Sequence, residues 1–244
     1  MISGREAYIR FIFTAKHKTM FWEKGYEVCF DQIKICSEHD HAPRIYMGNV
    51  ELSDEALCVR ILAGGVEYRF NKRISAFDSI IVNGEEMLDR PTEFNFFRAP
   101  IDNDIMRNDW YRAHLNDYTA RNYGVYLQKS ERGAEIKLRQ SFGWSIHQPF
   151  AYMDVLYTVT SDGALSIKCS AEMSNKVTFL PRFGIRLFLP QRFRQIEYFG
   201  YGPYESYSDK HHASYMGRFS ADIEQLHEDY IRPQENGSHF GCRD

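Results

Sequence analysis

Hydrophobic and polar positions alternate along most of the chain in short segments, a pattern typical of β-strands. The clearest case alternates Leu165, Ile167, Cys169, Ala171 and Met173 with polar residues, so we expect one buried face and one wet face. Strands are predicted over residues 6–13, 26–35, 56–63, 66–70, 79–82, 134–140, 150–160, 164–173, 183–189 and 195–199.

Turn chemistry between these segments predicts antiparallel hairpins. Gly64-Gly65 and Asn83-Gly84 are two-residue hairpin signals, and Ser161-Asp162-Gly163 joins two long strands tightly. Many short strands with frequent turns predict an all-β fold, in which antiparallel sheets pack as a sandwich.

A single helix is predicted before residue 220. Asn108-Asp109 would cap it, apolar residues continue at helical spacing as far as Leu115, and Gly124 would stop it.

The first two strands cannot hold a fold alone and are expected to be the remnant of a preceding domain. In the second, the apolar face moves from Val28 and Phe30 to Ile33, which predicts a bulge near Asp31. Residues 36–51 are expected to be a linker. Its His39-Asp40-His41 could bind a metal from one face of a strand, or be solvated.

Composition narrows the class of protein. With 244 residues, 43% of them hydrophobic, the chain can bury one large β domain, or one domain and part of another. The net charge is -3 and no basic run marks a nucleic-acid or membrane surface. We predict no nucleic acid and no membrane as partners. The start lacks the apolar core of a signal peptide, so a cytoplasmic protein is expected.

The five cysteines are scattered and never spaced as C-x-x-C, so neither a disulfide framework nor a zinc site is indicated. Cys29 and Cys169 are expected to be small buried hydrophobic residues.

Candidate chemistry concentrates in residues 96–104, which read as an ordered loop leaving a buried strand. Pro100 lacks a hydrogen-bond donor, and Asp102, Asn103 and Asp104 compete with the backbone for hydrogen bonds. Such a loop can present carboxylates. The alternative is a structural turn in which Arg98 bonds carbonyl groups and the Asp-Asn-Asp run caps the following helix.

This segment resembles a known signature. Residues 98–104 are similar to the R-A-P-x-D-N-D motif of the C-terminal domain of the large β-galactosidases of glycoside hydrolase family 2. Three further stretches match that family in order: residues 25–28 with Gln32, residues 202–210 (G-P-x-E-x-Y-x-D-R) and residues 233–237 (P-Q-E-N-G). The matches cover nearly the whole chain, but only the C-terminal part of the family's architecture.

The resemblance implies a domain organisation. Residues 1–40 would end an immunoglobulin-like β-sandwich, and residues 41–244 would form the first part of the C-terminal, small-chain sandwich, an incomplete galactose-mutarotase-like supersandwich. The family continues past this point for many strands, so a natural short piece and a truncated chain both stay open. In the family a mobile loop starts with a glycine where this chain has Met106.

The resemblance also implies site residues. Arg98, Asp102, Asn103 and Asp104 would belong to the loop that borders the galactoside site. The remaining motif residues, expected to be structural, are Gly202, Pro203, Glu205, Tyr207, Asp209, Glu235 and Asn236. Ser208 and Lys210 stand where the family usually has proline and arginine, which weakens bidentate pairing at that end.

No catalytic residue is expected in this chain. In the family both catalytic glutamates, and the Mg and Na ions, belong to a (β/α)8 barrel that this sequence lacks. We therefore expect no cofactor or metal here. The implied function is a non-catalytic part of a retaining glycosidase for terminal β-D-galactosides, inactive alone. Expected partners are a β-galactoside or galactose and the catalytic barrel domain or large subunit, and a homo-oligomer stays open.

Two alternatives come from other classes of function. A stand-alone carbohydrate-binding module could use the 16 Tyr and 18 Phe for stacking, although aromatic residues in a sandwich are more often core. A mutarotase-like aldose epimerase needs a His acid and a Glu base, for which His147, His211, His212, Glu197 and Glu205 are available.

Overall fold

The computed structural model describes residues 6–37, 48–130, 133–232 and 234–243. Almost all regular structure there is β, and every strand pairing is antiparallel, which confirms the predicted fold class. The strands are β1 Glu6–Thr14, β2 Glu27–Ser37, β3 Glu51–Asp54, β4 Cys58–Ala63, β5 Val66–Asn71, β6 Ala76–Val82, β7 Glu85–Glu86, β8 Arg90–Asn95, β9 Thr119–Ser130, β10 Gly133–Gly143, β11 Ala151–Thr160, β12 Leu165–Met173, β13 Gly184–Phe188, β14 Gln195–Gly202 and β15 Tyr215–Asp222. Helix α1 spans Arg107–Arg112, and Ile223–Leu226 form a 3-10 helix.

The chain divides into two compact units. The core unit comprises residues 45–193 and 232–235, and the hairpin unit comprises residues 1–44, 194–231 and 236–244. The predicted domain boundary near residue 40 lies outside the described residues and stays a prediction.

The core unit is built on two antiparallel sheets. One has five strands in the order β3-β4-β5-β6-β7, and the other has four in the order β12-β11-β10-β9. Rings from both meet in the interior, since Phe70 and Phe77 lie 5.6 and 5.1 Å from the ring centre of Tyr157. A two-stranded sheet, β8 with β13, completes this unit. Phe94 and Phe96, at the end of β8 and just beyond it, belong to the same buried cluster.

The predicted hairpin turns are confirmed. Gly64-Gly65 joins β4 to β5, with φ angles of 56° and 80°, which glycine adopts without strain. A Cβ atom on Gly64 would lie 2.2 Å from the backbone carbonyl of Asp162, so this position also needs glycine for space. Asn83-Gly84 joins β6 to β7, and residues 161–163 join β11 to β12.

The hairpin unit contains two hairpins, β1-β2 and β14-β15. Gln32 links β2 to β15 because its side-chain amide donates to the carbonyl of Met216 and accepts from the amide of Met216, both at 2.8 Å. The Arg10 guanidinium lies 3.8 Å from the ring centre of Tyr215 and 4.7 Å from that of Phe30. Gln32 therefore links β2 to β15, and Arg10 links β1 to β15.

Several local predictions were wrong. Helix α1 begins at Arg107 with Met106 as its N-cap residue and has no side-chain cap, so Asn108 and Asp109 do not cap it. Gly124 lies inside β9 and does not stop the helix. The register shifts in β1-β2 place the bulges at Val28 and Ile35, because Phe13 pairs with Cys29 and Thr14 with Glu27, whereas Ala7 pairs with Cys36 and Tyr8 with Lys34; no shift occurs at Asp31.

The observed burial of several side chains differs from the burial predicted from the sequence. Cys29 is exposed, whereas Cys169 is partly buried against the core. On β12, Leu165, Ile167 and Cys169 are partly buried as expected, but Ala171 and Met173 are exposed. The His39-Asp40-His41 segment lies outside the described residues.

Candidate functional site

The loop after β8 is fixed from inside by an ion pair. Arg98 donates from Nη1 and Nη2 to the two carboxylate oxygens of Asp104, at 2.7 and 2.9 Å, and both side chains are mostly buried. Asp104 also accepts from the backbone amide of Ile101 at 2.7 Å, and Arg98 donates to the carbonyl of Ala99. The bidentate geometry closes a ring of seven residues, 98–104, so the loop has one preferred shape.

This arrangement separates the three polar residues of the motif. Asp104 faces inward to Arg98, whereas Asp102 and Asn103 are exposed. Within the described part of the chain, the side chains of Asp102 and Asn103 have no hydrogen-bond partner, so they are free to contact a ligand. Asp104 therefore shapes the loop, and Asp102 and Asn103 are presented by it.

The P-Q-E-N-G segment supports the same loop. The backbone amide of Asp102 donates to the side-chain oxygen of Gln234 at 3.2 Å, although the two residues are 132 positions apart. The next residue, Glu235, pairs with Arg182 and its side chain is only 13% exposed. Both contacts lie within the core unit, and the first holds Gln234 beside residues 98–104.

Met106 stands where the resemblance implies a glycine. Its φ angle is -86°, an ordinary value for any residue, and it leads directly into α1. Trp110 of that helix is buried, and the guanidinium of Arg98 lies 5.2 Å from its ring centre. The loop is thus followed by a helix anchored in the core.

The G-P-x-E-x-Y motif, in the hairpin unit, is centred on a buried carboxylate. Glu205 accepts from Lys210 at 2.5 Å, from the hydroxyl of Tyr230 and from the backbone amide of Gly237 at 3.2 Å. Lys210 also donates to the Tyr230 hydroxyl at 2.8 Å. Burial by itself would raise the pKa of Glu205, but the donors outweigh it and the net pKa is lowered.

This environment argues against acid-base chemistry at Glu205. A carboxyl group whose pKa lies below its usual value is ionised near neutral pH, and its lone pairs are already used by three donors. The same contacts raise the pKa of Lys210 and of Tyr230. The cluster is therefore suited to fixing the chain segments that carry it.

The remaining motif residues surround this cluster. A Cβ atom on Gly202 would lie 2.5 Å from the Tyr198 hydroxyl, which explains the glycine, and the bond to Pro203 is cis. The backbone of Tyr207 pairs with that of Lys210. The side chain of Asn236 donates to the carbonyl of Glu228 at 3.3 Å. Asp209 is exposed.

A cavity of about 460 Å³ borders Glu205, Lys210 and Tyr230, with His211 and His212 on its wall. His211 contacts the carbonyl of Tyr207 through Nδ1 at 3.0 Å. Among the described residues, no group of three or more His, Cys, Asp or Glu side chains is arranged to hold a metal ion. In the same part of the chain no helix is long and apolar enough to cross a membrane.

The sequence indicated Arg98 and Asp104 as candidate residues, but not that they form an ion pair. It gave no indication of a role for Arg182 or Tyr230. Gln234 and Glu235 were quoted only as part of a motif. Their contacts join residues more than 50 positions apart, so no local pattern could reveal them.

The sequence is similar to known proteins of one family. A family model described as "Beta galactosidase small chain" matches residues 63–244. A β-galactosidase of Actinobacillus pleuropneumoniae is 32% identical over 92% of this chain, and one of Staphylococcus xylosus is 30% identical over 92%. A third, from Halalkalibacterium halodurans, is 26% identical over the full chain.

The chain spans only 23% of the length of the first two relatives and 24% of the third. The family match covers all three segments that form the loop and the carboxylate cluster, residues 98–104, 202–210 and 234–237. Because that match takes in well over half of the sequence, the chain belongs to the β-galactosidase small-chain family.

Proposed function

We propose that this chain is a non-catalytic part of a β-galactosidase, and that its loop at residues 98–104 lines the site where terminal β-D-galactosides are hydrolysed. The observation that carries the proposal is the split of the loop by its ion pair. Arg98 and Asp104 hold the loop from inside, while Asp102 and Asn103 are exposed and unpartnered among the described residues. Carboxylate and amide groups in fixed positions are suited to binding sugar hydroxyls.

The partner in this proposal is a catalytic (β/α)8 barrel, on another chain or another segment, which supplies the two glutamates of a retaining mechanism. The Mg and Na ions of the family would be held by that barrel. A larger β-galactosidase assembly is implied by the small-chain family. The cytoplasmic location and a homo-oligomeric state stay predictions.

The test mixes the purified chain with a barrel-containing β-galactosidase chain that lacks the small-chain region. We expect no hydrolysis of 2-nitrophenyl β-D-galactoside by either chain alone and restored hydrolysis on mixing. Turnover by this chain alone would contradict the proposal, and so would a mixture in which the chains associate but stay inactive.

Variants in the loop then locate the contact. Asp102→Ala and Asn103→Ala should each lower kcat/KM of the mixture by about ten- to a hundredfold, the usual value of a hydrogen bond that involves a charged or polar ligand group. Binding of the barrel chain is measured in parallel, so that a lower kcat/KM with unchanged association assigns the effect to the galactoside site. Asp154→Ala, which removes an exposed carboxylate on β11, is the matched control and should keep full activity. Unchanged kcat/KM in both loop variants would disprove the assignment.

A further inference from the structure

A second cavity lies in the core unit and contains none of the motif residues. Its volume is about 330 Å³, which lies within the usual range for small-molecule sites. Its lining comes from β6 and the turn before it, from β8 to β13, and from the segment between α1 and β9. The motifs of the sequence do not account for this cavity.

Its floor is apolar and aromatic. Phe77, Phe94, Phe142 and Tyr157 line it and are almost fully buried. Its mouth is open to solvent, because the lining residue Leu187 is 57% exposed. A planar apolar ligand could enter and pack on aromatic surfaces.

Four buried polar side chains interrupt this apolar wall: Ser75, Thr92, Asn95 and Gln140. Two are satisfied by the backbone, since Thr92 accepts from the amide of Phe77 and Asn95 accepts from that of Phe97. A buried polar group without a partner costs about 1–3 kcal/mol, so most such groups in proteins are satisfied.

The other two polar groups are unpartnered within the described chain. They are the hydroxyl of Ser75, whose residue is 3% exposed, and the Oε1 atom of Gln140, whose residue is 2% exposed. Both residues line the cavity, which thus offers an unpartnered acceptor and an unpartnered hydroxyl group that can donate and accept.

Ser75 and Gln140 are tied to the same part of the fold. Gln140 on β10 lies opposite Asn122 on β9. Asn122 donates from its side chain to the carbonyl of Lys72 at 3.3 Å, in the turn that carries Ser75. This hydrogen bond holds the turn against the strand pair, so both groups have fixed positions.

The charged residues on the cavity wall limit which class of ligand can bind. Arg186 and Glu93 are the charged residues on the wall, and they neutralise each other at 3.0 Å. A charged ligand would have no free counter-charge among the lining residues. A sugar carries several hydroxyl groups, whereas the buried lining offers two unpartnered polar atoms among the described residues; Asn116 also lines the cavity but is exposed to solvent. The wall therefore fits a neutral ring with one hydroxyl group.

We propose that this cavity is a binding site for a small neutral aromatic alcohol of the phenol type. Its ring packs on Phe77, Phe94 and Phe142, and its hydroxyl group donates to Oε1 of Gln140 and accepts from the hydroxyl of Ser75. None of residues 98–104 lines this cavity, although Phe97, which precedes them, does.

The test uses ¹⁹F NMR titration of the full chain with two matched probes, 4-fluorophenol and fluorobenzene. We expect 4-fluorophenol to bind about three- to tenfold more tightly, the usual value of one net hydrogen bond. Galactose should displace neither probe. Ala120→Phe, at an exposed position on the cavity wall, should weaken binding of both probes.

Two further variants separate the hydrogen bond from the ring contacts. Gln140→Met keeps the side-chain length and removes an unpaired buried oxygen, so the fold should be kept while the preference for 4-fluorophenol falls below that of the native chain, since only the Ser75 hydroxyl remains. Ser161→Ala is the matched control, because Ser161 is also buried and unpartnered among the described residues but lies outside the cavity. It should leave both affinities unchanged.

Three results would overturn the proposal. They are equal affinity of the native chain for both probes, a Gln140→Met variant that keeps the full preference of the native chain for 4-fluorophenol, and no binding of either probe. The last result would mean that the two polar groups are satisfied by water only.

Discussion

The two compact units of this chain are stabilised by different interactions. Of the 24 buried hydrophobic residues in the described chain, only Met216 belongs to the hairpin unit, and all the others belong to the core unit. The hairpin unit instead buries Glu205, Ser206 and Ser214, and exposes apolar residues on β1, among them Phe11 and Phe13.

This difference predicts how substitutions in each unit change its stability. In the core unit the free energy of folding comes from apolar burial, which is insensitive to pH. In the hairpin unit hydrogen bonds and ion pairs contribute more. The contacts of Gln32 are between neutral groups, whereas those of Glu205 depend on its charge. Substitutions in the two units should therefore have different sizes and a different dependence on pH.

The largest effect should follow from Phe96→Ala in the core unit. Phe96 is fully buried and its ring contacts those of Tyr118, Phe142 and Phe150 at 4.8–5.4 Å. Truncating a buried Phe costs about 3–5 kcal/mol through lost burial and the cavity left behind. Urea unfolding followed by tryptophan fluorescence measures this loss. Phe21→Ala, at a position that is 80% exposed, is the control and should cost less than about 0.5 kcal/mol. Similar costs for both variants would contradict the comparison.

A smaller effect is expected from Glu205→Gln in the hairpin unit. The change keeps the shape of the side chain but removes the charge that Lys210, Tyr230 and the amide of Gly237 share. We expect a loss of about 1–3 kcal/mol in the free energy of unfolding, because this acceptor is buried. Glu197→Gln is the control, since Glu197 forms an exposed ion pair with Arg218, and such surface pairs contribute at most about 1 kcal/mol.

The same variant should change the dependence of stability on pH. The pKa of Glu205 is lowered in the fold from its usual value of 4.5, so the unfolded chain takes up the proton first as the pH falls. The stabilisation by Glu205 is thus complete above about pH 4.5 and is lost as the pH falls through the lower pKa of the folded state. The difference between native and Glu205→Gln chains should be constant near neutral pH and shrink in acid. A difference that does not change between pH 7 and pH 3 would show that the charge of Glu205 does not stabilise the hairpin unit.

The parts of the fold that could be predicted from the sequence are those set by neighbouring residues. Asn83-Gly84 and Gly64-Gly65 specify their hairpins because the backbone needs positive φ angles there, and these residues adopt them readily. Strand β9 was missed because Gly124 was taken as a helix stop. In the structure Gly124 sits at a register shift between β9 and β10, where a strand accepts an extra residue.

The site was predictable only in part, for the same reason. The loop at residues 98–104 stood out through its own composition. The alternative in which Arg98 bonds a carbonyl group is confirmed, since it donates to that of Ala99, whereas its ion pair with Asp104 was not predicted. The place of Arg98 at a galactoside site stays a prediction. The predicted capping of α1 by the Asp-Asn-Asp run was wrong, because the cap position is Met106. The contact of Gln234 with Asp102 depends on the whole fold, so no local pattern contains it.

The smallest effect, and the sharpest test of the comparison, should come from Arg98→Lys. Arg98 belongs to the core unit, which buries mostly apolar residues, but it forms an ion pair with Asp104. It therefore resembles the charged contacts of the hairpin unit. Lysine keeps the charge but cannot form both parallel hydrogen bonds to Asp104, so we expect a loss of about 1 kcal/mol or less in the free energy of unfolding. The loop should loosen without unfolding the sheets, and amide hydrogen exchange at Ile101 should become faster while that of β10 stays unchanged. Arg112→Lys, which changes an exposed pair with Asp109, is the control and should leave exchange at Ile101 unaltered. If exchange in β10 rises together with that of Ile101, the ion pair stabilises the whole core unit, and the division between an apolar unit and a polar unit no longer holds.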